Sequence, residues 1–207
     1  MPEDTHSRLP LFLLIAVAVV MAWSMFRPFD WFTWCLEVAP VLIATPLLVW
    51  TYPRFRLTPL VYILIAIHAC ILIVGGHYTY ARVPAGFWFA NLFGLHRNHY
   101  DRLGHLAQGF VPALITREVL LRTTKLGRGK MLAFLCICVA MAISAWYELI
   151  EWITAVATGT AADAFLGTQG DPWDTQEDMA MALLGSILAL LTLSRVQDRQ
   201  LSRFDRG

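Results

Sequence analysis

Six long apolar runs dominate the chain, and short clusters of polar residues separate them. The runs cover about 9–26, 32–50, 57–76, 101–121, 131–152 and 175–193. A helix needs about 20 predominantly apolar residues to cross the hydrocarbon core of a bilayer, and each run has roughly that length. The pattern predicts an all-α fold, namely a polytopic integral membrane protein that forms a bundle of six transmembrane helices. We expect one membrane domain over residues 1–207.

Two connections are longer than the others. The segment 77–100 is rich in Gly, Pro, His and aromatic residues, and the segment 158–174 is rich in Gly, Thr, Ala and acids. Neither contains an apolar run of spanning length. Both are therefore predicted to be loops outside the membrane.

The composition agrees with a membrane protein. Hydrophobic residues make up 57% of the chain, charged residues only 15%, and the mean hydropathy is +0.56. A soluble domain carries about 25% charged residues. Many of the eight Trp fall near the predicted membrane boundaries, as interfacial aromatic residues do. We expect the lipid bilayer as a partner, and no nucleic acid.

The basic residues fix a predicted orientation. Eleven of the 16 Lys and Arg lie in the N-terminal segment, the second and fourth loops and the tail. The first, third and fifth loops hold four, which are Arg27, Arg82, Arg97 and Arg102. Positively charged loops stay in the cytoplasm. Both termini are therefore predicted to be cytoplasmic, in a bacterial inner membrane.

Unusual acids and an imidazole occur in three separate stretches. Asp101 and His105 begin the fourth run, Glu148 and Glu151 end the fifth, and the acids of 171–178 lie at the start of the sixth. The predicted topology places all three stretches at the outward side and at a similar depth. Because Asp101 and His105 are four residues apart, they share one helix face. We expect the stretches to meet in one polar site.

Oxygen ligands with one imidazole suit a divalent ion such as Mg²⁺, Mn²⁺ or Zn²⁺. The predicted metal ligands are Asp101, His105, Asp174 and Asp178. Glu148 and Glu151 are the candidate catalytic residues, each as a general base or a further ligand. Buried carboxylates need compensation, since a charge at membrane depth costs about 2.5–3.5 kcal/mol. The alternatives to a bound metal are Arg102 or Arg97 as counter-ion, and protonated carboxylic acids.

Structural roles compete with each of these assignments. Asp171 precedes Pro172 and fits a helix N-cap, and Asp174 fits a first-turn acid favoured by the helix dipole. His105, Glu148 and Glu151 could hydrogen-bond across the bundle. The sequence contains no Gly-x-Ser-x-Gly, Walker or His-Glu-x-x-His motif.

Several of these stretches together resemble a known family. The motifs are Tyr78-Thr79-Tyr80, 98–113, Arg117-Glu118, 147–152, 165–171 and 173–179. In this order they resemble the YjdF family of bacterial inner-membrane proteins, whose activity is unassigned, so the resemblance implies a location and a fold. A fainter similarity is to VanZ-like membrane proteins, which also have an Asp and His pair, a Glu and a late Asp.

Three hypotheses follow for the polar site. The first is a metal-dependent hydrolysis or transfer on a lipid-linked or envelope substrate. The second is a small proton- or ion-coupled transporter, in which Glu148 and Glu151 would titrate. The third is a structural site in a partner-binding membrane protein.

Overall fold

The computed structural model describes residues 4–159 and 163–204, and all regular structure in these ranges is helical. The helices are α1 (Asp4–Ser24), α2 (Trp31–Thr51), α3 (Pro59–Tyr78), α4 (Pro84–Phe93), α5 (Tyr100–Thr123), α6 (Lys130–Thr158), α7 (Asp163–Leu166) and α8 (Asp174–Phe204). A 3₁₀ turn at Tyr80–Arg82 joins α3 to α4. The predicted all-α class is confirmed for the described residues.

The six predicted runs coincide with α1, α2, α3, α5, α6 and α8 to within a few residues at most ends. The largest difference is at α8, which continues about ten residues beyond 193. Its polar continuation stays helical because Gln197 and Leu201 are buried against the rest of the bundle.

The prediction of a loop over 77–100 was wrong for its middle part. Pro84 occupies the first turn of α4, where its missing N–H costs nothing. Gly94 ends the helix in the left-handed conformation with φ 65°. The aromatic residues of this segment, including Phe87 and Trp88, lie exposed on α4. The segment 158–174 likewise contains the short helix α7.

Four helices have the length and apolar composition to cross a membrane, namely α2, α3, α6 and the stretch Asp174–Ser202 of α8. Their outward faces carry large exposed apolar side chains such as Trp50, Trp146 and Leu191. A soluble protein would bury such residues, whereas a bilayer solvates them.

Helix α5 is the centre of the arrangement, since it packs against α3, α6 and α8, while α1 and α2 pack on α3. It is also rich in polar residues, with Asp101, Arg102, His105, Gln108 and Glu118 all buried. These polar residues lower the mean hydropathy of α5, so it is not among the four helices above. Neighbouring helices cover them.

Helices α5 and α8 run parallel, and two glycines allow their backbones to approach closely. A Cβ on Gly109 would lie 1.8 Å from the carbonyl oxygen of Ala182, and one on Gly185 would lie 2.1 Å from that of Leu106. Small residues allow helix backbones to approach in this way. The contact aligns the N-terminal turns of α5 and α8, where the candidate site lies.

Candidate metal site

Three buried side chains converge between α5 and α8. Asp101 and His105 stand one turn apart on α5, and Asp178 faces them from α8. One potential ligand atom from each lies within 4.8 Å of the others. Nε2 of His105 is 3.5 Å from Oδ1 of Asp101 and 3.7 Å from Oδ1 of Asp178. Three of the four predicted ligands are thus brought together.

Glu148 reaches the opposite edge of the same imidazole from α6. Its Oε1 lies 3.8 Å from Nδ1 of His105, which is too long for a hydrogen bond. Both atoms are buried without a hydrogen-bond partner in the described chain, as are Oε1 of Gln108 and Oγ of Ser144. The imidazole therefore lies between one carboxylate on its Nδ1 side and two on its Nε2 side.

Arg102 and Arg97 bind the remaining acids. Arg102 donates to Asp178, to Oδ1 of Asp174 at 2.8 Å and to Glu177 at 2.9 Å. Arg97 donates to Asp171 and to Oδ1 of Asp174, both at 2.7 Å. These are the two counter-ions that the sequence offered as an alternative to a metal. Arg102 contacts Asp178 of the converging group, whereas Arg97 contacts only the neighbouring acids Asp171 and Asp174.

The other predicted site residues lie at the edge of this group. Asp174 is buried, but its Oδ1 accepts hydrogen bonds from both arginines, so only Oδ2 remains for an ion. Glu151 lies one turn beyond Glu148 on α6 and is partly exposed. Asp171 precedes α8 rather than capping it, because the helix begins at Asp174. Oδ1 of Asp171 accepts from the Trp173 N–H at 2.9 Å.

His77, which sequence reasoning placed at the same depth, serves another contact. Its Nδ1 lies 2.9 Å from the carbonyl oxygen of Ser24, and its ring stacks on Trp23 at 4.4 Å between centroids. It ties α3 to the end of α1 and does not join the cluster.

Asn98 positions the start of α5, and sequence reasoning missed this role. Its amide donates to the carbonyl of Val83 at 2.9 Å, and its Oδ1 accepts from the Tyr100 N–H at 3.0 Å. Its backbone exchanges two hydrogen bonds with the side chain of Gln169. The side chain fits only because residue 86 is glycine, where a Cβ would lie 1.7 Å from Oδ1.

Glu37 is a second residue that was not predicted. It is fully buried on α2, and its Oε2 accepts a hydrogen bond from the Tyr147 hydroxyl at 3.2 Å. The signal available in the sequence was a single acid within an apolar run, next to Pro40. Glu37 and Tyr147 join α2 to α6 beside the cluster.

His99 lies just before α5, beside the two arginines. Its partial burial and the positive charges of Arg97 and Arg102 lower its pKa. The ring is therefore neutral near pH 7 and adds no positive charge to the arginine network.

A second buried polar layer lies near the other end of α5. Glu118 accepts from the backbone N–H of Thr58 at 2.8 Å and from its hydroxyl at 2.7 Å. Arg117 donates to Gln197 at 2.9 Å and to Asp198 at 2.8 Å. In contrast to the layer around His105, these charged groups are paired, which points to a structural role.

Comparisons with known proteins agree with this architecture. Residues 9–199 match a family model described as "Predicted membrane protein (DUF2238)". The chain is 51% identical over 203 residues to the inner membrane protein YjdF of Escherichia coli (strain K12), covering 97% of each chain. No solved structure matches the chain. The family expected from the motifs is thereby confirmed, and the chain belongs to this family of predicted membrane proteins together with YjdF.

Proposed function

We propose that Asp101, His105 and Asp178 bind one divalent metal ion, Mg²⁺, Mn²⁺ or Zn²⁺, in an inner-membrane protein that hydrolyses or transfers a lipid-linked or envelope substrate. The observation that carries the proposal is the convergence of the three ligand atoms on a buried point, with Glu148 behind the imidazole.

The distances support an ion between the side chains. The separations of 3.5 and 3.7 Å from Nε2 to the two carboxylate oxygens exceed hydrogen-bond length. Metal bonds of about 2.0–2.2 Å in a tetrahedron separate neighbouring ligand atoms by about 3.3–3.6 Å. A small divalent ion therefore fits between the imidazole and these two oxygens, where it would share Oδ1 of Asp178 with Arg102, which donates to the same atom.

The charge balance supports a cation as well. Six carboxylates contact the two arginines or His105, namely Asp101, Glu148, Asp171, Asp174, Glu177 and Asp178. Asp101 comes no closer than 3.9 Å to Arg102. Since buried charges require compensation, an ion near Asp101 would relieve the excess.

In this proposal Glu148 orients His105, and Glu148 or Glu151 accepts a proton from water or substrate. A carboxylate behind a ligating histidine is a common partner in metal sites. The ion would supply Lewis acidity and lower the pKa of bound water. Asp174 remains a predicted ligand through its free oxygen, Oδ2.

The proposal includes one membrane domain with six spans, α1, α2, α3, α5, α6 and α8, and both termini in the cytoplasm. The support for α5 is its length of 24 residues, about 36 Å of helix, against a hydrocarbon core of about 30 Å. Its polar residues face other helices, so its low hydropathy is compatible with a span. The basic loops support the orientation.

Metal content of the detergent-purified protein tests the proposal. We expect about one Mn, Zn or Mg per chain, lost in both His105→Ala and Asp178→Asn. The matched control is Asp198→Asn, which removes an acid from the other end of α8 and should retain the metal. Native protein that takes up no metal after incubation with Mn²⁺, Zn²⁺ and Mg²⁺ would contradict it and favour a structural cluster.

Ion transport has less support from the described residues. A cavity runs from Asp101 and His105 toward the polar layer around Glu118. Beyond His68 and Gln108 its walls are apolar, with Val111, Ile115 and Ile65. A transported ion would have to cross this region without polar partners.

A further inference from the structure

A largely apolar cavity of about 340 Å³ begins at the candidate metal site and extends into the bundle. Its polar end is formed by Asp101, His105 and Gln108, with His68 beside them. Further along, the walls are apolar side chains of α2, α3 and α5, including Ala44, Ala69 and Val111. The volume lies within the range of small-ligand sites, about 300–1,000 Å³.

The cavity opens sideways between α2 and α6. These two helices do not pack along each other in the described chain. Near the site they are joined by the hydrogen bond from Tyr147 to Glu37 and by α7, which packs against both. Leu47 of α2 and Ile143 of α6 line the cavity and are also 54% and 41% exposed. In a membrane protein, such an apolar opening between two apolar helices faces the acyl chains of the bilayer.

We infer that the cavity binds the hydrocarbon chain of a membrane lipid, whose head group lies against Asp101, His105 and Gln108. An apolar chain needs no hydrogen bonds from the walls, and its burial against apolar side chains is favourable. The polar end holds Oε1 of Gln108, which is buried without a hydrogen-bond partner in the described chain and can accept from a donor of the head group. The inference rests on the proposed function for its chemistry and names the substrate class as an amphiphile with a chain in this cavity.

A neighbouring cavity offers room for a longer chain. It measures about 410 Å³, is lined by α1, α2 and α3, and shares Thr45, Leu48, Ile65 and Ala69 with the first cavity. These four side chains line both spaces and lie between them. A chain that displaced them would continue toward the other end of α2.

Photolabelling in proteoliposomes tests the inference. The probe is phosphatidylethanolamine with a diazirine in the middle of one acyl chain, followed by mass-spectrometric mapping of labelled residues. Ala69 and Val111 are only 8% and 5% exposed, so bulk lipid reaches them poorly. We expect both to be labelled clearly above Ala140, which is fully buried and does not line the cavity.

Filling the cavity should remove this labelling. Ala44→Phe is expected to lower labelling of Ala69 and Val111 several-fold, while exposed Leu191 stays labelled. Ala142→Phe, on the exposed face of α6, is the matched control and should change nothing. If Ala44→Phe fails to fold, Ala69→Leu fills the same cavity, and labelling of Val111 is then the readout.

The metal and the lipid chain are separable in this design. Asp178→Asn should lose the metal yet keep labelling of Val111, so failure of one proposal does not imply failure of the other. The inference is overturned if Ala69 and Val111 are labelled no more than Ala140, or if their labelling survives both cavity-filling variants.

Discussion

Glu148 of α6 places its Oε1 3.8 Å from Nδ1 of His105 on α5. On the other side of the ring, Nε2 faces Asp101 and Asp178. Carboxylates from three helices thus surround one imidazole, with one on its Nδ1 side and two on its Nε2 side. This is the order of groups in a carboxylate–histidine–metal arrangement, and it gives Glu148 a role distinct from that of the proposed ligands.

Glu148→Gln is expected to weaken metal binding without abolishing it. Loss of the partner behind a ligating histidine costs about 10–100-fold in metal affinity. Competition with a chelator of known affinity measures the change. Glu177→Gln is the control, since Glu177 contacts Arg102 on the exposed side of the cluster. Equal metal affinity in the Glu148 variant and the native protein would show that Glu148 does not support metal binding.

Arg102→Gln should destabilise the fold strongly. Arg102 is buried and pairs with four carboxylates, of which Asp171 and Asp174 would keep Arg97 while buried Asp178 would lose its arginine. Breaking a buried ion pair costs about 3–5 kcal/mol. Thermal unfolding in detergent should show a large fall in Tm. Arg128→Gln changes an exposed arginine and should have little effect. A Tm equal to that of the native protein would show that the network contributes no stability.

Gly109→Ala tests the contact between α5 and α8. The added methyl group would overlap the carbonyl oxygen of Ala182, and overpacking costs about 1–3 kcal/mol. Separation of the helices would also move Asp178 away from Asp101, so we expect both Tm and metal content to fall. Gly127→Ala meets nothing within 4 Å and should leave both unchanged. Retention of full metal content would contradict the link between this contact and the site.

Thr58→Val should affect stability alone. The substitution removes the hydroxyl that donates to Glu118 at 2.7 Å, a hydrogen bond to a charged group worth about 1.5–3 kcal/mol. This layer lies about 24 Å along α5 from the metal site, so metal content should stay at the native value. Metal loss in a folded Thr58→Val protein would show that the two layers depend on each other.

Much of this architecture follows from the sequence. The apolar runs indicated all six long helices, because in a bilayer a helix of about 20 apolar residues is the simplest way to satisfy its backbone. The spacing of Asp101 and His105 predicted a shared face, and topology predicted that Asp178 and Glu148 would lie at the same depth.

Other features depend on contacts that no local pattern encodes. Asn98 acts through Gly86 and Gln169, which are distant along the chain. Glu37 approaches Tyr147 only because α2 and α6 lie on either side of the cavity. Arg102 was counted as a loop charge and also offered as a counter-ion, but the sequence did not indicate which acids of α8 its guanidinium would contact. The helix α4 was missed because its aromatic residues show no run of spanning length.

The most direct test for a bound metal is an anomalous difference map from crystals of the protein soaked in Mn²⁺. We expect one peak within about 2.0–2.3 Å of the side chains of Asp101, His105 and Asp178. The peak should be absent in His105→Ala crystals of the same form. No peak between these side chains, or a peak only among the exposed acids around Glu177, would contradict the account.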